Sequence, residues 1–124
     1  MLKDKNSSAI VAVKDIAAAR GFYVDTLGLE PLQDSDDMLV LNTGSTQLVV
    51  YVSDYAGTNK ANAVAWGVGE EIEAIVSALL GKGVSFEHYP EMPGEYSGGI
   101  HSSGDFKAAW FKDPDGNILH LNNM

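Results

Sequence analysis

Ala9-Ile10-Val11-Ala12-Val13-Lys14-Asp15, followed directly by the stretch from Ile16 to Gly28, decides the fold. The first seven residues read as a short strand running into a helix N-cap. Asp suits that position because its short side chain accepts a hydrogen bond from an orphan backbone N–H. Ile16, Ala19, Phe22, Tyr23 and Leu27 then recur at helical spacing and make one apolar face. Gly28 follows as the stop. The same order returns downstream. Val64-Ala65-Trp66-Gly67-Val68 is a second strand, Ile72, Ile75, Val76 and Leu79 form a second apolar stripe, and Gly81 or Gly83 closes it. One offset of 55 residues carries Val13 onto Val68 and Gly28 onto Gly83. An offset shared by strand, helix and stop marks an internal duplication.

More strands follow each glycine. In the first half they are Leu29–Gln33, Met38–Asn42 and Thr46–Ser53, with turns at Asp34-Ser35-Asp36-Asp37 and Thr43-Gly44-Ser45. In the second they are Val84–His88, Phe106–Lys112 and Asn117–Asn122, with Asp113-Pro114-Asp115-Gly116 as the hairpin turn. That turn lacks the alternating oxygen ligands and closing Glu of a calcium loop. Each half is thus β-α-β-β-β. The class is α+β: one domain over residues 1–124, with module one at about 8–53, a linker at 54–62 and module two at about 63–122. The second half also carries a 17-residue insertion, residues 89–105, without helical or strand pattern. Loops of that length are usually functional or disordered. Its prolines, glycines, Tyr96 and His101 suggest a partly ordered lid.

Composition narrows the function. With 17 acidic and 8 basic side chains the net charge is −9. Nucleic acid and anionic membranes require clustered basic residues, and only Arg20 and seven scattered lysines are available. Neither partner is expected, whereas a cationic ligand is favoured at long range. The absence of cysteine excludes disulfides and thiolate chemistry. No apolar run approaches a membrane span, and the first residues lack a signal peptide's apolar stretch. A cytoplasmic protein is the expectation.

Val13-Lys14-Asp15, Gly21-Phe22-Tyr23, Leu27-Gly28-Leu29 and Phe111-Lys112-Asp113-Pro114-Asp115-Gly116-Asn117 resemble the paired signatures of the vicinal oxygen chelate superfamily. That superfamily groups glyoxalase I, bleomycin-resistance proteins, extradiol dioxygenases and fosfomycin-resistance enzymes. The resemblance runs from about Ser8 to Asn122. It implies two βαβββ modules whose mixed sheets curl into a ligand cup, in a chain that forms a homodimer. It also implies a metal held by residues on the first and last strands of the modules. The corresponding positions here are Ser8, Val49, Ala63 and His120, of which only His120 is a strong ligand. Catalytic sites for zinc or non-haem iron need about three protein ligands. No metal residues are therefore assigned and no cofactor is expected. The alternative is a divalent metal held by His88, His101, Glu87 or Glu95 turned inward from the lid region.

Strand alternation separates two faces. The ligand-position face collects Ser8, Ile10, Ala12, Gln47, Val49, Tyr51, Ala63, Ala65, Gly67, Ala108, Trp110, Ile118, His120 and Asn122. The opposite face is almost entirely large and apolar. Gln47, Val49, Tyr51, Trp110, His120 and Asn122, with Tyr96 and His101 from the insertion, are the candidate ligand-binding residues. Tyr51 and Trp110 offer flat faces for an aromatic or cationic compound, although a buried Trp is equally at home in a core. His120 is also the candidate catalytic acid–base, with Tyr51 as a donor and Glu87 as an orienting carboxylate. Three readings stand. One is a binding protein that sequesters an aromatic or cationic small molecule without a metal. The second is a glyoxalase- or dioxygenase-like lyase, isomerase or oxygenase, acting through His120 or through insertion-supplied ligands. The third is a structural or regulatory protein whose cup is filled by its own side chains.

Overall fold

The first strand, β1 (Ala9–Val13), ends two residues before α1 (Ile16–Arg20), and Asp15 caps the helix. Its carboxylate accepts the backbone N–H groups of Ala17 at 2.9 Å and Ala18 at 3.2 Å. The helix continues as a π-helical stretch, Gly21–Thr26, where the sequence pattern predicts plain α-helix. The wider turn still places Tyr23 in the core, fully buried. Gly28, at φ +76°, ends it, as Gly83 at φ +90° ends the second helix. The two duplicated stops thus share the left-handed backbone that glycine adopts without strain.

The computed structural model describes residues 1–124 and divides them into two units, Met1–Asn59 and Lys60–Met124. In the first, β2 (Glu30–Asp34), β3 (Met38–Thr43) and β4 (Thr46–Val52) join β1 in a mixed sheet of order β1-β4-β3-β2. β1 runs parallel to β4, and the other pairs are antiparallel. Val11, Val13, Leu39, Leu41, Leu48 and Val50 are buried on one face. The helix α1 lies against β3 and β4. Burying a Val or Leu side chain contributes about 1.5–3 kcal/mol, so this face supplies the main stabilisation of the unit. On the other face, Ile10 opposes Val49 and Met38 opposes Tyr51. Ile10 stays 62% exposed and Tyr51 37%.

The second unit repeats the plan. β5 (Asn62–Gly67) leads through a short 3-10 turn, Gly69–Glu71, into α2 (Ile72–Gly81). Its sheet has the order β5-β9-β8-β7-β6, with β6 at Glu95–Ser97, β7 at Ile100–Ser103, β8 at Phe106–Lys112 and β9 at Ile118–Asn122. β5 runs parallel to β9, as β1 does to β4. Phe111, Leu119 and Leu121 are buried on the face carrying Val64, where α2 packs against β8. Trp66, in the same alternation, is only half-buried.

Two expectations need correction here. Val84–His88 is not a ladder-forming strand. It makes a single bridge, Phe86 to Phe111, and the Glu87 N–H donates to the Trp110 carbonyl at 2.7 Å. The insertion, conversely, is not patternless, because β6 (Glu95–Ser97) and β7 (Ile100–Ser103) form a hairpin within it. β7 extends the sheet along β8. Pro90 and Pro93 lack the N–H that a ladder needs, so the chain cannot continue pairing from His88. Pairing resumes at Glu95, and Gly98-Gly99, both at positive φ, make the two-residue turn between the hairpin's strands. No helix is long and apolar enough to cross a membrane.

Gly94 locks this hairpin against the preceding segment. It has φ +94°, and a Cβ there would overlap the Ser102 carbonyl oxygen. Gly94→Ala must therefore displace backbone. We expect it to cost at least about 2 kcal/mol and to raise amide exchange across Ile100–Ser103. Unchanged exchange there would refute this close packing.

Candidate functional site

The candidate residues fall in both units. Gln47, Val49 and Tyr51 alternate along β4 on its solvent-facing side, beside Ile10 and Met38. They form a half-apolar, half-polar sheet face in which Gln47 and Tyr51 are exposed. The other five lie in the second unit, where the sheet register brings them together. His101 opposes Ala108, which opposes Asn122, and Trp110 opposes His120. Tyr96 opposes His101 across the hairpin. All five side chains therefore share one face.

Their rings form a continuous contact series. His120 stacks on Trp110 with centroids 4.7 Å apart and planes 27° from parallel. His101 meets Trp110 edge-on at 5.2 Å, and Tyr96 meets His101 at 4.6 Å. Two further rings, not foreseen as binding residues, complete the group. His88 stacks on Tyr96 at 4.1 Å, and Tyr89 lies 5.4 Å from Trp110 and 5.9 Å from His101. The dipeptide His88-Tyr89, set just before a proline that ends pairing, was the available signal for them. All three histidines of the chain thus belong to one aromatic cluster.

Neighbouring backbone and amide groups orient the two buried imidazoles. The Tyr89 N–H donates to His101 Nε2 at 3.0 Å. Asn122 Oδ1 accepts the Met124 N–H at 3.1 Å, which turns its Nδ2 toward His120 Nε2 at 3.2 Å. Both Nε2 atoms are therefore acceptors, and each ring carries its proton on Nδ1. His101 is 5% exposed and His120 9%. Burial pushes both below the ordinary imidazole value of 6.5; for His101 the nearby His88 adds to this, while Glu91 and the Tyr89 backbone oppose it. For His120 only the Ala109 backbone opposes the effect of burial. The folded chain thus holds both rings neutral, and the unfolded chain binds more protons below pH 6.5. The stabilisation is complete above that pH and is lost as pH falls through the folded values. We expect the melting temperature to drop between pH 7 and 5, and a His101→Phe, His120→Phe double variant to flatten that slope.

The four positions implied for a metal do not assemble a three-ligand set. Ser8 is exposed ahead of β1, Val49 is apolar, and Ala63 sits at the irregularity in β5. No group of three His, Asp or Glu side chains is placed to hold an ion. Two of the alternative donors have other partners: His101 Nε2 accepts from Tyr89 and Glu87 pairs with Lys112 at 3.1 Å, while His88 stacks on Tyr96. Glu95 is exposed on β6. The Lys112 pairing also removes Glu87 as the orienting carboxylate expected for His120, since Asn122 holds that ring. A separate hollow of about 200 Å³ beside α2 contains the Glu73–Lys107 ion pair and none of the candidate residues.

The sequence model of the Glyoxalase/Bleomycin resistance protein/Dioxygenase superfamily matches residues 7–121. Among solved structures, the chain is similar to a glyoxalase family protein from Enterococcus faecalis. The two share 26% identity with a TM-score of 0.74, over 98% of this chain and 99% of that one. A lactoylglutathione lyase from Agrobacterium tumefaciens aligns at 15% identity and TM-score 0.73, over 98% of this chain and 95% of the other. The oxidase ChaP-H2 aligns at 24% identity and TM-score 0.71, over 98% and 94%. No curated protein sequence matches the chain. The latter two likenesses bear on the fold alone.

Proposed function

Because the chain belongs to the Glyoxalase/Bleomycin resistance protein/Dioxygenase superfamily, we propose that it is a small-molecule-binding member. In this reading it works without a divalent ion and holds an aromatic or cationic compound against the ring-bearing face of its second sheet. The observation that carries the reading is the cluster of Trp110, His101, His120 and Tyr96 on one face, with amide and backbone groups, rather than carboxylates, orienting the imidazoles. Carboxylates behind imidazoles are the usual support for metal ligands and catalytic bases. Amide support instead suits rings that serve as surfaces and hydrogen-bond donors.

One feature favours a metal-free enzyme as the second reading. His120 is buried and neutral, as a general base must be before it takes a proton, and Nε2 becomes its basic atom once a substrate displaces the Asn122 amide. In that case His120→Ala abolishes turnover of whatever substrate is found, and unchanged turnover excludes the ring.

Metal analysis and a thermal-shift screen test the main reading together. We expect protein purified without chelators to carry less than about 0.2 equivalents of any transition metal, since catalytic sites take about three protein ligands. We also expect an aromatic or cationic compound at about 100 times its dissociation constant to add about 2.7 kcal/mol of stability. Stoichiometric metal, with ligand binding that depends on it, would overturn the proposal.

A further inference from the structure

Two buried side-chain nitrogens lack a hydrogen-bond partner, and both are histidine Nδ1 atoms, one in His101 and one in His120. Their protonation is set by the neighbours. With Tyr89 N–H donating into one Nε2 and Asn122 Nδ2 into the other, each Nδ1 bears a hydrogen and each is a donor without an acceptor. Turning either ring over would leave the Tyr89 N–H or the Asn122 amide without its acceptor, so ring reorientation does not resolve the deficit. Buried donors are satisfied in the great majority of native structures, and exceptions call for an explanation.

The two donors share a setting. They lie on the same face of the second sheet, with ring centroids 5.2 and 4.7 Å from that of Trp110. A flat aromatic compound against this face would meet an indole with a neutral N–H donor on either side. What those donors lack is an oxygen acceptor in hydrogen-bonding geometry, the Ala109 backbone near His120 included. Resting on the small-molecule reading above, we propose that this face takes a planar aromatic compound bearing a carbonyl or carboxylate oxygen, to which His101 and His120 donate through Nδ1–H. His101 rides on the β6–β7 hairpin, whose Gly98-Gly99 turn and Gly94 contact define its seat. A cationic group in the same place would face two donors and gain no acceptor, so the specificity runs against cations at close range despite the chain's acidity.

Four probes of matched shape test this: 2-acetylnaphthalene, 2-naphthoate, 2-isopropylnaphthalene and 2-naphthyltrimethylammonium. Each is titrated into the full chain and followed by long-range proton–nitrogen NMR of the imidazoles. In the free protein both rings must show the Nδ1–H tautomer; an Nε2–H tautomer in both overturns the proposal without any variant. At least one oxygen-bearing probe is expected to bind about tenfold tighter than 2-isopropylnaphthalene, the scale of one added hydrogen bond. It should also shift the Nδ1–H protons downfield. Binding of 2-acetylnaphthalene alone assigns the site to neutral carbonyls, and binding of 2-naphthoate alone assigns it to carboxylates. His101→Phe and His120→Phe should each bring the affinity ratio between that probe and 2-isopropylnaphthalene to about one. If the isopropyl or ammonium probe binds as tightly as the oxygen probes, the donor role is wrong although the binding reading survives. If no probe binds, both fall.

Discussion

Trp110→Ala should lower folding stability by about 3–5 kcal/mol, the range for truncating a buried Trp, and should remove small-molecule binding. The ring is 8% exposed on β8 and touches His101, His120 and Tyr89. Its loss leaves a cavity bordered by two buried imidazoles whose Nδ1 atoms are already unpartnered. Collapse into that space is resisted on both sides, because Tyr89 and Asn122 tether the histidines. The cost should therefore lie toward the upper end of the range. Trp110→Phe keeps an aromatic surface and most of the volume, so it should retain a measurable part of both stability and binding. Urea unfolding of the three proteins reads the first effect and naphthalene-probe titration the second. A loss below about 1 kcal/mol in the alanine variant would mean that the ring is not the packed centre of its sheet face.

The second large effect is expected at Asp113, which has no part in binding. Its Oδ1 accepts the N–H groups of Asp115 at 2.9 Å and Asn117 at 2.8 Å, and its Oδ2 accepts Asn117 Nδ2 at 2.8 Å. Asp113 and Asn117 are both buried. The carboxylate thus holds closed the turn that sets β9 beside β8 in the register opposing His120 to Trp110. Asp113→Ala leaves buried donors without acceptors and should cost about 3 kcal/mol. Asp113→Asn, which keeps one acceptor oxygen, should cost about 1 kcal/mol. The hydrogen bonds that close this turn involve no ring of the cluster, so probe affinity of the folded fraction should stay within about twofold for either variant. A stability loss no greater for Ala than for Asn would show that the acceptor is not what closes the turn.

The legibility of this chain varied with the range of the interactions involved. The Asp15 cap, the Gly28 and Gly83 stops and the Asp113–Asn117 turn are local. Each depends on residues within a few positions of one another, and each stands in the structure where the spacing puts it. Face alternation was legible too. Val11, Leu48, Val50, Phe111 and Leu119 are buried while Ile10, Gln47 and Tyr51 face solvent, because a strand's two-residue period transmits side from one position to the next. The hairpin at Glu95–Ser103 was not legible as strand. Its residues are short, polar and glycine-rich, and they pair because β8 offers an open edge, which no local pattern reports. The π-helical turn after Arg20 was not legible either, since the apolar spacing from Ile16 to Leu27 reads equally as plain α-helix.

From the order of its residues alone, this protein declared a duplicated β-α-β-β-β plan and the sides of its strands. Those features are written in residue spacing, which survives without coordinates. Only the folded structure brought His88, Tyr89, Tyr96, His101, Trp110 and His120 into one set of touching rings. It alone fixed which nitrogen of each buried imidazole carries the proton. A tautomer is chosen by the hydrogen bond made at the opposite nitrogen. For His101 the partner is the backbone of a residue twelve positions away, brought close by a hairpin that forms only against the edge of its sheet.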